Sequence, residues 1–246
     1  MSKKISLIIP TYLEEKILGT LLSKFTDEIK NKYNLELIVS DGGSTDSTIV
    51  IAKQYADAVV EHIYSRKQNI SQGRNSGAKV ATSDVFVFLN ADCEPKDLKY
   101  FLDYISNWNN NNYNEIDAIA CKIRAFPKEE LFKDKIFYFI HNNYVRFLNM
   151  IRVGMGRGEC QIISRTMFEK VGGYNPLLAA GEDFDIYRRI AKNKGKIHFA
   201  DDLIIYESPR RYRKYGYLKT LWYWTINAIM VIFCNKSVSK EWEAIR

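Results

Sequence analysis

Two β-rich, largely apolar runs open the chain, ISLII at 5–9 and LELIV at 35–39, and each stops at a cluster of turn-forming residues, Pro10 in the first case and Ser40-Asp41-Gly42-Gly43 in the second. Strands covered on both faces read as near-continuous apolar runs, so both are predicted to lie inside a parallel sheet. Between them Ile17, Leu18, Leu21, Leu22, Phe25 and Ile29 recur at helical spacing, which gives strand, helix, strand. A helix over 45–55, a strand over 59–63, a helix over 70–81 and a strand over 85–89 continue the alternation, and the last strand ends at Asn90-Ala91-Asp92. This order predicts a doubly wound α/β sheet with ligands gathering at the carboxyl ends of its strands. The polar tract Asn109 to Asn112 is expected to be a surface loop, and no domain boundary is signalled before about residue 210.

Composition narrows the setting more than the chemistry. With 246 residues, 46% of them hydrophobic, the chain has material for one sizeable core. A formal charge of +7 favours acidic partners: nucleic acid, an anionic membrane surface or phosphorylated small molecules. The four cysteines, Cys93, Cys121, Cys160 and Cys234, form no CxxC pair and suit a reducing compartment. Residues 1–4 lead straight into the first apolar run with no signal-like segment, which argues for a cytoplasmic location. The longest uncharged stretch, Thr220 to Cys234, contains Asn227 and falls short of the roughly 20 residues that span a bilayer.

Three acidic clusters carry candidate chemistry. In Ser40-Asp41-Gly42-Gly43-Ser44-Thr45-Asp46, the glycines permit a tight turn and close ligand approach. Asp41 is placed to accept hydrogen bonds from a base or ribose, whereas Ser44 and Asp46 are expected to cap the next helix. Asn90-Ala91-Asp92-Cys93-Glu94 offers oxygen ligands one or two residues apart, a donor set suited to Mg²⁺ or Mn²⁺ bridging a diphosphate. Gly181-Glu182-Asp183-Phe184-Asp185 opens a helix, where capping accounts for one acid and a general base for another.

The ordered segments ISLIIPTYLEE, IVSDGGSTDST, GRNSGAKVA, VFLNADCEP, GRGECQIISRTMFEKVGGYNP and GEDFDIYRRI resemble those of family-two glycosyltransferases with the GT-A fold, across about residues 3 to 210. The resemblance implies an α/β, Rossmann-like, mostly parallel sheet flanked by helices. It implies inverting transfer of a sugar from a nucleotide-diphosphate sugar to a glycan, glycolipid or polyprenyl-phosphate acceptor. By resemblance Pro10, Tyr12 and Glu14 line the nucleotide pocket, Asp41 binds base or ribose, and Arg74 lies near the nucleotide. Asn90 and Asp92 fill the DxD positions, with Asp92 on the metal and diphosphate, and Glu94 stands where relatives supply a further metal ligand. Asp183 is the implied catalytic base, and Glu182 shapes the acceptor pocket. Two positions depart from the pattern. Asn90 replaces the first acid of DxD, and Glu207 stands where some relatives carry a late histidine ligand, as a substitute ligand or as a solvated loop glutamate.

Residues 211–246 are expected to form a basic, aromatic helical segment, in which Arg211, Arg213, Lys214 and Lys219 precede LWYWTINAIMVIF. A second amphipathic stretch covers Leu131 to Ile151. Each fits a peripheral helix on an anionic membrane, a core-packing helix or a dimer contact. Two other functions compete. A sugar-nucleotide-binding protein with weakened catalysis is motivated by Asn90. A nucleic-acid module is motivated by Arg-Tyr interleaving, but it leaves Asp41, Asp92 and Asp183 unexplained, so no nucleic acid is expected.

Overall fold

A computed structural model describes residues 3–63, 68–110, 116–234 and 236–238. The predicted strands become β1 (Ile5–Thr11), β2 (Leu35–Asp41), β3 (Ala58–Glu61) and β4 (Val85–Leu89). They pair parallel in the order β3-β2-β1-β4. Alternate residues of these strands feed two cores. Leu7, Ile9, Leu37 and Val87 pack on one side of the sheet, and Ile8, Ile38, Phe86 and Phe88 on the other, which is why the strand sequences lack a polar face.

The single helix expected across 17–29 is two. Helix α1 (Leu18–Leu22) stops, and Thr26 restarts the chain as the N-cap of α2 (Asp27–Tyr33), accepting the Ile29 amide. Helix α3 (Thr48–Tyr55) is shorter than predicted, while α4 (Ile70–Val80) begins on a capping box formed by Asn69 and Gln72. Asn109 and Asn110, expected in a loop, form the last turn of α5 (Leu98–Asn110), where Asn109 is buried and donates to the Lys4 carbonyl at 3.0 Å; Asn111 and Asn112 lie outside the described residues.

Beyond β4 the sheet gains β5 (Glu94–Pro95), β6 (Ala118–Ala125), β7 (Cys160–Ser164) and β8 (Ile197–Glu207). The eight strands run β3-β2-β1-β4-β7-β6-β8-β5, with β7 antiparallel to both its neighbours. Helices α6 (Phe132–Met150), α7 (Arg165–Lys170) and α8 (Glu182–Lys192) flank this half. Short α9 (Arg210–Tyr215) and long α10 (Tyr217–Cys234) then return across the carboxyl edge of the sheet. All four cysteines are free, and three are buried.

Candidate active site

A cleft of about 1120 Å³ lies along the carboxyl ends of β1, β2 and β4, and Pro10, Tyr12, Glu14, Asn90 and Asp92 all line it. Two loops are stitched together to make its wall. The Leu13 amide donates to Ser44 Oγ and the Glu14 amide to Thr48 Oγ1, each at 2.7 Å. The N-cap of α3 is Ser47, whose side chain makes no capping bond; Asp46, one residue earlier, accepts the Thr48 amide at 3.1 Å, and Ser44, expected as a cap, serves as the bridge to Leu13.

Asp41 is buried and does not line the cleft. Its carboxylate accepts the Gly43 amide at 2.9 Å, the Ser44 amide at 2.7 Å, Thr11 Oγ1 at 3.1 Å and the Ser44 hydroxyl. A short carboxylate that folds back on successive amides stabilises a tight turn, and this one fixes the Gly42–Ser44 corner beneath the cleft.

Asp92 stands exposed in the cleft, where its carboxylate accepts a weak thiol contact from Cys93 at 3.5 Å. The carbonyl of Asn90 accepts from Arg74 Nη2 at 3.0 Å. Glu94, expected as a further metal ligand, lines neither cavity and forms an ion pair with Lys24 instead. Among the described residues, no three His, Cys, Asp or Glu side chains converge to hold a metal ion unaided. Mg²⁺ and Mn²⁺ sites at phosphates commonly take one or two protein carboxylates and complete their shell with phosphate oxygens and water. Asp92 alone fits that donor set; Glu94 in its present pairing does not.

Arg74 is fully buried, neither on the surface nor on the wall of the larger cleft. It donates to Glu182 Oε1 at 2.9 Å, Asn90 Oδ1 at 3.0 Å and the Gly158 carbonyl at 2.6 Å, so one guanidinium ties α4 to the start of α8 and to the end of β4. Asp183, next to Glu182, accepts the Phe184 amide at 2.8 Å. Burial and then the adjacent Glu182 charge push its carboxyl up to about 7. A Cβ at Gly158 would lie 3.4 Å from Asp183 Oδ2 and 3.5 Å from Arg74 Nη2, ordinary contact distances, so this segment of backbone runs against both the acid and the guanidinium.

Asp183, Glu182 and Arg74 line a second cavity of about 470 Å³. It adjoins the first, since Ile70, Asn90, Glu159, Arg211 and Trp224 border both. Thr220, Trp224 and Asn227 bring α10 over it. Gly181 (φ +78°) makes that approach possible, because a Cβ there would lie 2.2 Å from the Asn227 amide nitrogen.

Between the cavities lies a buried charge cluster. Arg157 donates to Glu159 and to Glu207, each at 2.6 Å, and to the Tyr212 hydroxyl at 2.7 Å. Burial alone would raise Glu159, but the Arg157 charge brings it down to about 2. Burial and the Glu159 charge drive Glu207 well above the usual carboxylate range. Glu207 is therefore no solvated loop residue. His141, at the edge of this cluster, is held down to about 3 by burial and by Arg157. Arg157, Glu159, His141 and Trp224 carried no role in the sequence reading. The available signal was Arg157-Gly158-Glu159, opposite charges two positions apart entering an apolar strand, which puts both on one side of an extended chain.

The fold and its two adjoining cavities define a GT-A glycosyltransferase scaffold. The profile of the family described as glycosyl transferase family 2 matches residues 6–172, and the chain belongs to that family. Glycosyltransferase AglE of Haloferax volcanii is 32% identical over 94 residues, covering 37% of this chain and 31% of its own. The probable glycosyltransferase YdaM of Bacillus subtilis is 23% identical over 234 residues, 89% of this chain and 54% of its own. The chain thus spans about half or less of these relatives. Among solved structures, the mannosyltransferase PcManGT from Pyrobaculum calidifontis in complex with GDP-Man and Mn²⁺ superposes with a TM-score of 0.69 at 19% identity, covering 96% of this chain and 64% of that one. Glucosyl-3-phosphoglycerate synthase from Mycobacterium tuberculosis in complex with Mn²⁺, UDP and glucosyl-3-phosphoglycerate gives 0.63 at 17% identity, covering 96% and 82%. Among the described residues, no helix is long and apolar enough to cross a membrane.

Proposed function

We propose that the chain transfers a sugar, with inversion, from a nucleoside-diphosphate sugar in the larger cleft to an acceptor in the smaller one. The observation that carries this reading is Asp183: a carboxyl brought up to about 7 inside a cavity that adjoins the candidate nucleotide cleft. A group poised there holds a useful base fraction near neutrality and gains driving force for accepting a proton. In the displacement, the acceptor oxygen forms a bond to the anomeric carbon as the bond to the diphosphate oxygen breaks. The electron pair leaves with the nucleoside diphosphate, and the acceptor's proton passes to Asp183.

Pro10, Tyr12 and Glu14 border the nucleotide, and Asp41 acts by fixing the loop beneath it. Asp92 would hold Mg²⁺ or Mn²⁺ against the diphosphate, and when bound the ion supplies positive charge to the departing group. Glu182, held by Arg74, keeps a second negative charge beside Asp183 and thereby sustains its basicity. With a glycan or glycolipid hydroxyl as acceptor Asp183 is the base; with a polyprenyl phosphate no proton need leave, and Asp183 orients the nucleophile. Residues 1–210 form the catalytic body in this reading and 211–246 its helical cover, acting in the cytoplasm at the membrane face.

Calorimetry with UDP-, GDP- and dTDP-sugars, with and without Mn²⁺, combined with assays of transfer and donor hydrolysis, tests the proposal. Binding of one donor strengthened by Mn²⁺, with turnover, supports it. Donor binding without transfer or hydrolysis would favour a sugar-nucleotide-binding protein, the reading that Asn90 motivates. Absence of donor binding would sink both.

A further inference from the structure

Helices α6 and α10 touch through aromatic rings: Phe137 meets the rings of Tyr217 and Trp224 at 5.3 and 6.2 Å, and His141 meets Trp224 at 5.0 Å. Their inward faces are accounted for by these contacts. Their outward faces are not. On α6, Phe132, Ile136, Phe139, Ile140, Tyr144, Phe147 and Met150 fall on one side of the helix and are all exposed, Phe132 and Met150 by 78% and 72%. On α10, Leu218, Trp222, Ile229 and Phe233, four or seven positions apart, likewise share one side and are exposed, with Leu218 and Phe233 at 83% and 80%. Monomeric proteins rarely leave two adjacent helical stripes of this kind to water.

Charge identifies what such a surface suits. Residues 131–152 and 209–238 carry ten Lys and Arg against one acid, Asp134, a formal charge of +9 against +7 for the whole chain; Arg146 is paired with Asp201, Lys135 with Glu130 and Arg213 with Asp134, and the balance stays positive. Asp134 itself is buried and occupied by Arg213 and Tyr217. A second protein copy would bring two such positive surfaces together. Anionic lipid headgroups would neutralise them while the apolar stripes enter the acyl boundary. The span is wrong for crossing and right for lying flat, since α10 has 18 residues and no described helix qualifies as a membrane span.

We propose that α6 and α10 form one platform that docks the protein on an anionic bilayer. The same α10 covers the cavity holding Asp183, through Thr220, Trp224 and Asn227. Docking would therefore put the acceptor cavity at the lipid surface, where a membrane-anchored acceptor is concentrated in two dimensions. This last step rests on the acceptor assignment made under Proposed function; the platform does not.

Flotation of the full chain with vesicles of phosphatidylglycerol and phosphatidylcholine, against phosphatidylcholine alone, tests the platform without any assay of transfer. Binding is expected only to the anionic vesicles, falling at least tenfold in 0.5 M NaCl as surface charge is screened. The double substitution Phe139→Glu and Trp222→Glu, on outward residues that line neither cavity, should lower vesicle binding at least tenfold while helical content by circular dichroism is kept. Asp183→Asn should float like the wild type, so a failed base assignment leaves this result intact. No binding to anionic vesicles at low salt would overturn the proposal. So would a dimer in sedimentation that the double substitution dissociates, because the stripes would then face a second copy.

Discussion

Asp41 and Asp183 are both short carboxylates at the rim of one sheet, and the two halves of the molecule treat them oppositely. In the half proposed to bind the donor, Asp41 receives four donors, two of them backbone amides, and holds a turn. In the half proposed to bind the acceptor, Asp183 receives one amide, sits beside Glu182 on the smaller cavity, and is lifted to about 7. Donor count and neighbouring charge, not residue type, separate a structural anion from a candidate base. The same contrast holds for the arginines of the acceptor half. Arg74 and Arg157 are buried and direct most of their donors at protein groups, chiefly carboxylates and carbonyls, leaving one buried nitrogen of each, Arg74 Nε and Arg157 Nη1, without a hydrogen-bond partner among the described residues.

The largest effect that would break this contrast is at Asp183. Asp183→Asn should lower the transfer rate by about 10³-fold, within the usual range for a lost general base, while calorimetric donor affinity stays near wild type. Wild-type kcat/KM for a hydroxyl acceptor should rise with pH and level off above about 7, since the anion is the active form. Stability runs the other way. A carboxyl raised in the folded state favours folding as the neutral acid, fully below the ordinary aspartate range and less as pH climbs through about 7. Asp183→Asn should therefore leave the thermal midpoint nearly unchanged at about pH 3, raise it moderately at about pH 5 and raise it most at about pH 8. Equal activity in the variant would remove Asp183 from the chemistry.

Arg74 comes next. Arg74→Ala leaves Glu182 buried without its cation and should cost about 3–5 kcal/mol of stability in urea unfolding. Adding Glu182→Gln should recover part of that loss, because the uncompensated charge goes. A cost under about 1 kcal/mol, the usual worth of an exposed pair, would mean that the site opens to water. At Asp92 the expected change is in donor handling: Asp92→Ala should abolish the strengthening of donor binding by Mn²⁺ and lower transfer by about a hundredfold, in line with several kcal/mol of metal assistance. Persistence of the Mn²⁺ effect would point to other ligands, Glu94 first among them once freed from Lys24.

How far the sequence was legible follows the same division. Strand β4 occupies 85–89 as predicted, and the parallel half follows local apolar runs and turn residues. The acceptor half is built from distant partners. Arg157 reaches Glu207 50 positions away and Tyr212 55 away, while Arg74 reaches Glu182 across 108. No local periodicity encodes such pairings, and the antiparallel insertion of β7 between β4 and β6 has none either. Glu94 shows a related effect: its spacing from Asp92 suggests convergence, whereas β5 pairs with β8 and the side chain meets Lys24. Position along the chain gave the right neighbourhood for Arg74, but only the packing revealed that it is enclosed.

The smallest effect, and the one that sharpens the contrast most, is at Asp41. Asp41→Asn keeps the shape but turns one acceptor oxygen into an amide that faces the Gly43, Ser44 or Thr11 donors. Hydrogen bonds to a charged group are worth more than neutral ones, and a mismatched buried donor adds its own penalty, so a loss of about 2 kcal/mol is expected in urea unfolding. Donor affinity should fall only as far as the Gly42–Ser44 corner loosens, and saturating donor should restore full occupancy. If stability is instead unchanged while affinity collapses for one nucleobase only, Asp41 must turn outward on binding and meet the base or ribose itself. The two carboxylates would then differ in when they act, since the turn that Asp41 holds in the free protein would be the pre-formed state from which recognition begins.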